Sequence, residues 1–225
     1  MNLTTTYTKV QRSLVVFGIL TLCFNLWELF SGQVPPLAAL VTIVECLLGI
    51  GLIYGPEFLK RFFRVSFPEV IVYFYWFFIL ISVFIGTCLH MMDIVSFWDK
   101  ILHLTSPMIL TVVGYGILCS LLGDLDTEVS EIPAWVFLLF GFCFAGVCGV
   151  FWEFWEWSWD AIGNLNLQRY MTLDGTPYVG HAALSDTMGD LLINTIGAAI
   201  MGVFSWFQHQ KNSKYFEGYQ ITIHR

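Results

Sequence analysis

Apolar residues in this chain fall in long, nearly unbroken runs, and most polar residues collect between the runs. Six such runs, at about residues 13–31, 35–56, 69–90, 100–122, 133–158 and 186–208, each reach the roughly 18 to 20 residues a helix needs to cross a bilayer. The runs are continuous, whereas a membrane β-barrel needs alternating segments of about ten residues. The predicted fold is all-α: a polytopic transmembrane helical bundle of about six spans, forming one integral membrane domain. Proline and glycine mark its joints. Pro35 and Pro36 open the second helix, Gly55 and Pro56 close it, Pro68 precedes the third and Pro133 the fifth. Ser185 is placed to cap the sixth, and Pro107 falls early in the fourth, where it opens or kinks it.

Composition supports this pattern. Hydrophobic residues make up 57% of the chain and charged residues 12%, with a mean hydropathy of +0.71, which excludes an ordinary soluble domain. The first run ends at Glu28 without a small-residue cleavage site, so it reads as a spanning helix and not a signal peptide. The formal charge of -7 brings no nucleic-acid partner into view, because much of the acid lies in or beside the helices. The six cysteines all fall inside apolar runs without a CxxC pair, and read as small packing residues.

The basic residues orient the chain. Lys9, Arg12, Lys60, Arg61, Arg64, Lys211, Lys214 and Arg225 fall on one side of a six-span arrangement, and only Lys100 and Arg169 on the other. Short basic loops favour the cytoplasm, so both termini are expected there and the connection 161–185 outside. That connection is rich in glycine and asparagine and long enough to serve as a lid or substrate-contact loop. Asp124, Asp126, Glu128 and Glu131 read as a solvated cytoplasmic loop.

Orientation gathers most of the remaining polar residues at the outward end. Glu153, Glu156 and Asp160 are spaced i, i+3, i+7 and share one face of the fifth helix, while Trp152, Trp155, Trp157 and Trp159 spread over the rest as an interfacial belt. Asp99 and His103, and likewise Asp186 and Asp190, are i, i+4 pairs on the fourth and sixth helices, with Asn194 one turn further on. Asn25, Glu28, His90 and Asp93 are expected at the same depth. Glu28 and Glu45 are candidates for supporting roles, and His181 for a ligand in the long loop. Carboxylates in a membrane are costly and face a bundle interior or a watery cavity, which makes them a functional-site hypothesis.

An imidazole among carboxylates, without cysteine, suits a divalent ion such as zinc, manganese, iron or magnesium. On this reading Asp99, His103, Glu153 and Asp190 are metal ligands and Glu156 or Asp186 is the general base. The protein would be a metal-dependent hydrolase or transferase acting on a lipid or lipid-linked envelope substrate near the outer leaflet. Two rivals stay open. In one, an ion- or proton-coupled transporter uses the acids as cation sites; in the other, a non-catalytic envelope protein uses them only to cap helices and fix packing.

Two stretches also carry a family resemblance. Trp98-Asp99-Lys100-Ile101-Leu102-His103 and Asp186-Thr187-Met188-Gly189-Asp190, continuing through Asn194 to Gly197, resemble the DKxxH and DxxxNxxG signatures of VanZ-like bacterial membrane proteins. With Trp152-Glu153, Glu156-Trp157 and Gln168-Arg169 added, the pattern is still more similar to bacterial inner-membrane proteins of the YjdF type. The similarity covers about residues 95–200. It implies a bacterial cytoplasmic (inner) membrane protein and supports the polar site, without fixing a reaction.

Overall fold

A computed structural model describes residues 3–172 and 174–224, so Arg225, counted above among the orienting cations, lies outside the described residues. Among these residues six helices are long and apolar enough to cross a membrane: Thr6–Ser31, Pro36–Ile53, Glu69–Cys88, Trp98–Asp124, Ala134–Gly163 and His181–Lys211. The architecture is the all-α, six-span one expected from the apolar runs. The chain divides into two compact units, one running up to Leu102 and including the C-terminal residues from Ile221, the other running from His103 to Gln220.

In the first unit, α1 (Leu3–Ser31) and α2 (Pro36–Ile53) are followed by a short amphipathic helix, α3 (Gly55–Phe63). Pro35 provides the extended residue before α2, and Pro56 sits in the first turn of α3, where its missing N–H costs nothing. Strand β1 (Val65–Ser66) pairs antiparallel with β2 (Thr222–Ile223), so the C-terminal tail is tied to the end of α3. Helix α4 (Glu69–Ile79) continues as a π-helical segment, Leu80–Cys88, then come α5 (Met91–Ile94) and the first turn of α6 (Trp98–Asp124). The core gathers Cys46, Ile53, Val72, Trp76, Ile79, Phe84 and Cys88. The buried indole of Trp76 donates to the Ile53 carbonyl at 2.8 Å, so a large apolar surface is buried with its one donor satisfied.

The second unit holds the rest of α6, then α7 (Ala134–Gly163) and α8 (His181–Lys211). Pro133 supplies the extended residue before α7, and Asn164 closes that helix in the left-handed conformation, with φ 51°. Gly180 precedes α8 at φ 64°, a region where a β-carbon would be strained. Pro107 lies inside α6 and cannot donate to the carbonyl of His103 one turn earlier; the Thr111 hydroxyl bonds the Pro107 carbonyl at 2.7 Å.

Small residues set how closely these helices approach. A β-carbon on Gly149 of α7 would lie 2.5–2.7 Å from the amide of Asn194, and that amide donates to the Ala145 carbonyl at 3.4 Å. A β-carbon on Gly197 of α8 would run into the Leu104 carbonyl and lie 2.8 Å from Pro107 Cγ. These are the close backbone approaches that glycine and alanine permit in membrane helix pairs.

Candidate functional site

Helix α7 sorts its C-terminal end by chemistry. Glu153, Glu156 and Asp160 are buried at 4%, 8% and 7% relative exposure, whereas Trp152, Trp155, Trp157 and Trp159 are 45–62% exposed. A 3.6-residue period cannot bury both sets, and the structure turns the carboxylates inward and the indoles outward. Trp152 does both jobs: its indole donates to Glu156 Oε1 at 2.8 Å while its ring stacks on Trp155.

Helix α6 brings His103 to this stripe. His103, Glu153 and Glu156 are all buried and each offers one ligand atom, these atoms lying within 4.8 Å of one another. Three donors held at about 2.1 Å by one ion lie about 3.4–3.6 Å apart, so a cation would need to draw the three in by up to about 1.4 Å. From α8, Asp190 Oδ1 stands 3.9 Å from His103 Nε2, and Asp190 is 1% exposed. Glu153 Oε2 accepts from Gln168 Nε2 at 3.3 Å, but its buried Oε1 has no hydrogen-bond partner among the described residues. A buried carboxylate oxygen without a donor, beside a second carboxylate, calls for a countercharge or a proton.

Asp160 has a different task. Its Oδ1 accepts the Leu167 N–H at 2.7 Å and its Oδ2 the Gln168 N–H at 3.0 Å, anchoring the α7–α8 connection to the helix end. In the connection's described residues, 164–172 and 174–180, Asn166 bonds both backbone groups of Met171, Met171 bridges Pro177, and the Tyr178 N–H donates to the Tyr170 carbonyl at 2.9 Å. At its tip the Thr172 hydroxyl donates to Asp174 and holds that carboxyl below its usual range. The anchor places Gln168 where it reaches both Glu153 and Thr187, the latter at 3.0 Å. Asp160→Asn keeps one acceptor and loses the other, a cost of about 1–3 kcal/mol confined to this loop. Limited proteolysis should therefore cut within 164–172 faster in the variant; an unchanged rate would show that the loop is held elsewhere.

Glu156 joins His103 and Glu153 in one cluster, whereas Asp186 meets Arg169, whose Nη1 lies 3.8 Å from Asp186 Oδ1. Asp99 belongs to the first unit, one turn before His103 on the continuous helix α6, with the Lys100 amine 3.4 Å from its Oδ2. In that unit both oxygens of Glu28 lie 3.0 Å from His90 Nε2, and Asn25 donates to the Cys88 carbonyl at 2.8 Å. Glu45 is half-buried in α2, and His181 is exposed at the first residue of α8. Sequence reasoning missed Thr187 and the bridging of Gln168. Thr187 lies between Asp186 and Asp190 on a helical repeat, but no spacing rule links it to a loop glutamine 19 residues earlier.

A family model described as "Predicted membrane protein (DUF2238)" matches residues 13–211. No curated protein matches the chain, and no solved structure does.

Proposed function

We propose that this chain, which belongs to the predicted membrane protein family DUF2238, holds a divalent cation between α6, α7 and α8 and uses it as a metal-dependent hydrolase or transferase on a lipid or lipid-linked envelope substrate. One observation carries the reading: His103, Glu153 and Glu156 converge in a buried place where Glu153 Oε1 has no hydrogen-bond partner among the described residues. His103 and Glu153 are the ligands the geometry favours, with Asp190 beside His103. The ion would polarise an ester or phosphoester oxygen and acidify a water.

Glu156 then takes the proton of the attacking water, its Oε1 oriented by the Trp152 indole. A new bond forms from the water oxygen to the electrophilic centre, the ester bond breaks, and the same proton passes to the departing oxygen. A transferase would replace water by an acceptor hydroxyl. Gln168 steadies Glu153, and Arg169 beside Asp186 supplies a cation for an anionic headgroup. The apolar exterior of α7 and its indole belt suit a substrate that stays in the bilayer. The distribution of basic residues and the resemblance to YjdF-type proteins support the bacterial inner membrane, both termini in the cytoplasm and the site near the outer leaflet.

Elemental analysis of the full-length protein in detergent should find close to one divalent ion per chain, lost in His103→Ala. Release of headgroup from lipid substrates should stop on chelation and resume on adding the ion back. A His103→Ala protein that keeps its metal, or wild type that takes up none after supplementation, would overturn the reading.

A further inference from the structure

We propose that α3 is a membrane-surface element that binds anionic phospholipid. It follows α2 after Tyr54 alone, so it starts where a spanning helix ends. Its rotation is fixed by Glu57, whose Oε1 accepts from the Tyr7 hydroxyl and from Gln11 Nε2, both at 2.7 Å. With Glu57 turned to α1, the aromatic residues are left uncovered: Phe58, Phe62 and Phe63 are 52%, 64% and 62% exposed. Phe58 and Phe62 lie with ring centroids 4.6 Å apart, tilted at 39°, and the Arg61 guanidinium lies 5.8 Å from the Phe62 centroid. Adjacent exposed phenyl rings bordered by cations are the pattern of a helix lying in the headgroup boundary.

Charge selects the lipid. Lys60, Arg61 and Arg64 on and after α3 are exposed, as are Lys9 and Arg12 on α1, which flank the two residues that bind Glu57. Among the described residues of the first unit, the carboxylates at this end are Glu57, held by α1, and Glu69, which accepts from the Tyr73 hydroxyl at 3.4 Å. His224 also lies here: its N–H donates to the Arg64 carbonyl at 2.9 Å, and its Nε2 is 2.9 Å from the Ser66 hydroxyl. The β1–β2 pairing thus holds the end of α3 in place without covering the aromatic face. Cations outnumber acids, and a basic cluster beside an aromatic face fits a phosphatidylglycerol-type headgroup better than a zwitterionic one.

The test is native mass spectrometry of the full-length protein, titrated with phosphatidylglycerol or phosphatidylcholine. Phosphatidylglycerol should be retained more tightly. In Lys60→Gln/Arg61→Gln its affinity should fall about thirtyfold, from two charges each contributing about 1 kcal/mol at an anionic surface, with phosphatidylcholine unchanged. Added salt should weaken phosphatidylglycerol retention by wild type, a check that needs no variant. Equal retention of the two lipids, or of phosphatidylglycerol by wild type and the double variant, would overturn the proposal. A dimer that dissociates in Phe58→Ser/Phe62→Ser would assign the face to a second copy instead.

Discussion

Glu153→Gln is expected to raise the unfolding temperature of metal-free protein and to lower it, relative to wild type, once metal is added. Glu153 is 4% exposed, with one oxygen lacking a hydrogen-bond partner among the described residues and the Glu156 carboxylate close by. An amide of the same shape removes the buried charge, still accepts from Gln168 with its oxygen, and offers its NH2 to Glu156. Relieving one unsatisfied buried group is a gain of about 1–3 kcal/mol. Metal reverses the order. An ion at a thousand times its dissociation constant stabilises wild type by about 4 kcal/mol, and a thousandfold loss of affinity in the variant forfeits about 3.7 kcal/mol of that, more than the gain. Thermal unfolding with chelator and with added zinc or manganese separates the two effects. A lower temperature in both conditions would make Glu153 a structural partner of His103 and would sink the metal reading.

The sequence disclosed the helices more fully than their partners, for a physical reason. A spanning helix satisfies its own backbone and is selected by apolar length, so Ala134–Gly163 or Pro36–Ile53 is legible in local composition. The inward turn of Glu153, Glu156 and Asp160 was likewise legible, because helical period alone puts them on one face. What the three carboxylates do was not. Asp160 binds backbone N–H groups seven and eight residues on, a purpose set by how the loop closes, while Glu156 meets an imidazole on another helix. Sequence also grouped Glu28 and His90 with the other outward polar residues by depth, but within the first unit they bind each other. Depth follows from position in a span; partnership depends on which faces meet, and that is fixed by packing. Helix α3 shows the same limit. Its cations were read as a short loop between spans, because nine residues are too few for a span and the helix only has meaning on a surface.

Packing also decides the second large effect, at Gly197. Gly197→Ala is expected to destabilise the protein by about 1–3 kcal/mol, the usual cost of forcing atoms into a filled contact. The added methyl would meet the Leu104 carbonyl and Pro107, and neither is the free end of a flexible side chain. Relief therefore requires α8 to move away from α6. Leu104 directly follows His103, and Asp190 lies two turns before Gly197 on α8, so that movement also opens the 3.9 Å approach of His103 to Asp190. Gly202→Ala, five residues further along α8, meets no atom within 4 Å and should be neutral or stabilising by up to about 1 kcal/mol through helix propensity. Comparing the two variants isolates helix approach from the intrinsic cost of glycine. If the cation site depends on that approach, Gly197→Ala should bind metal more weakly even where it remains folded, and Gly202→Ala should bind it like wild type. Equal stability in the two variants would show that α6 and α8 are not held apart by this contact. Equal loss of metal in both would place the cation elsewhere.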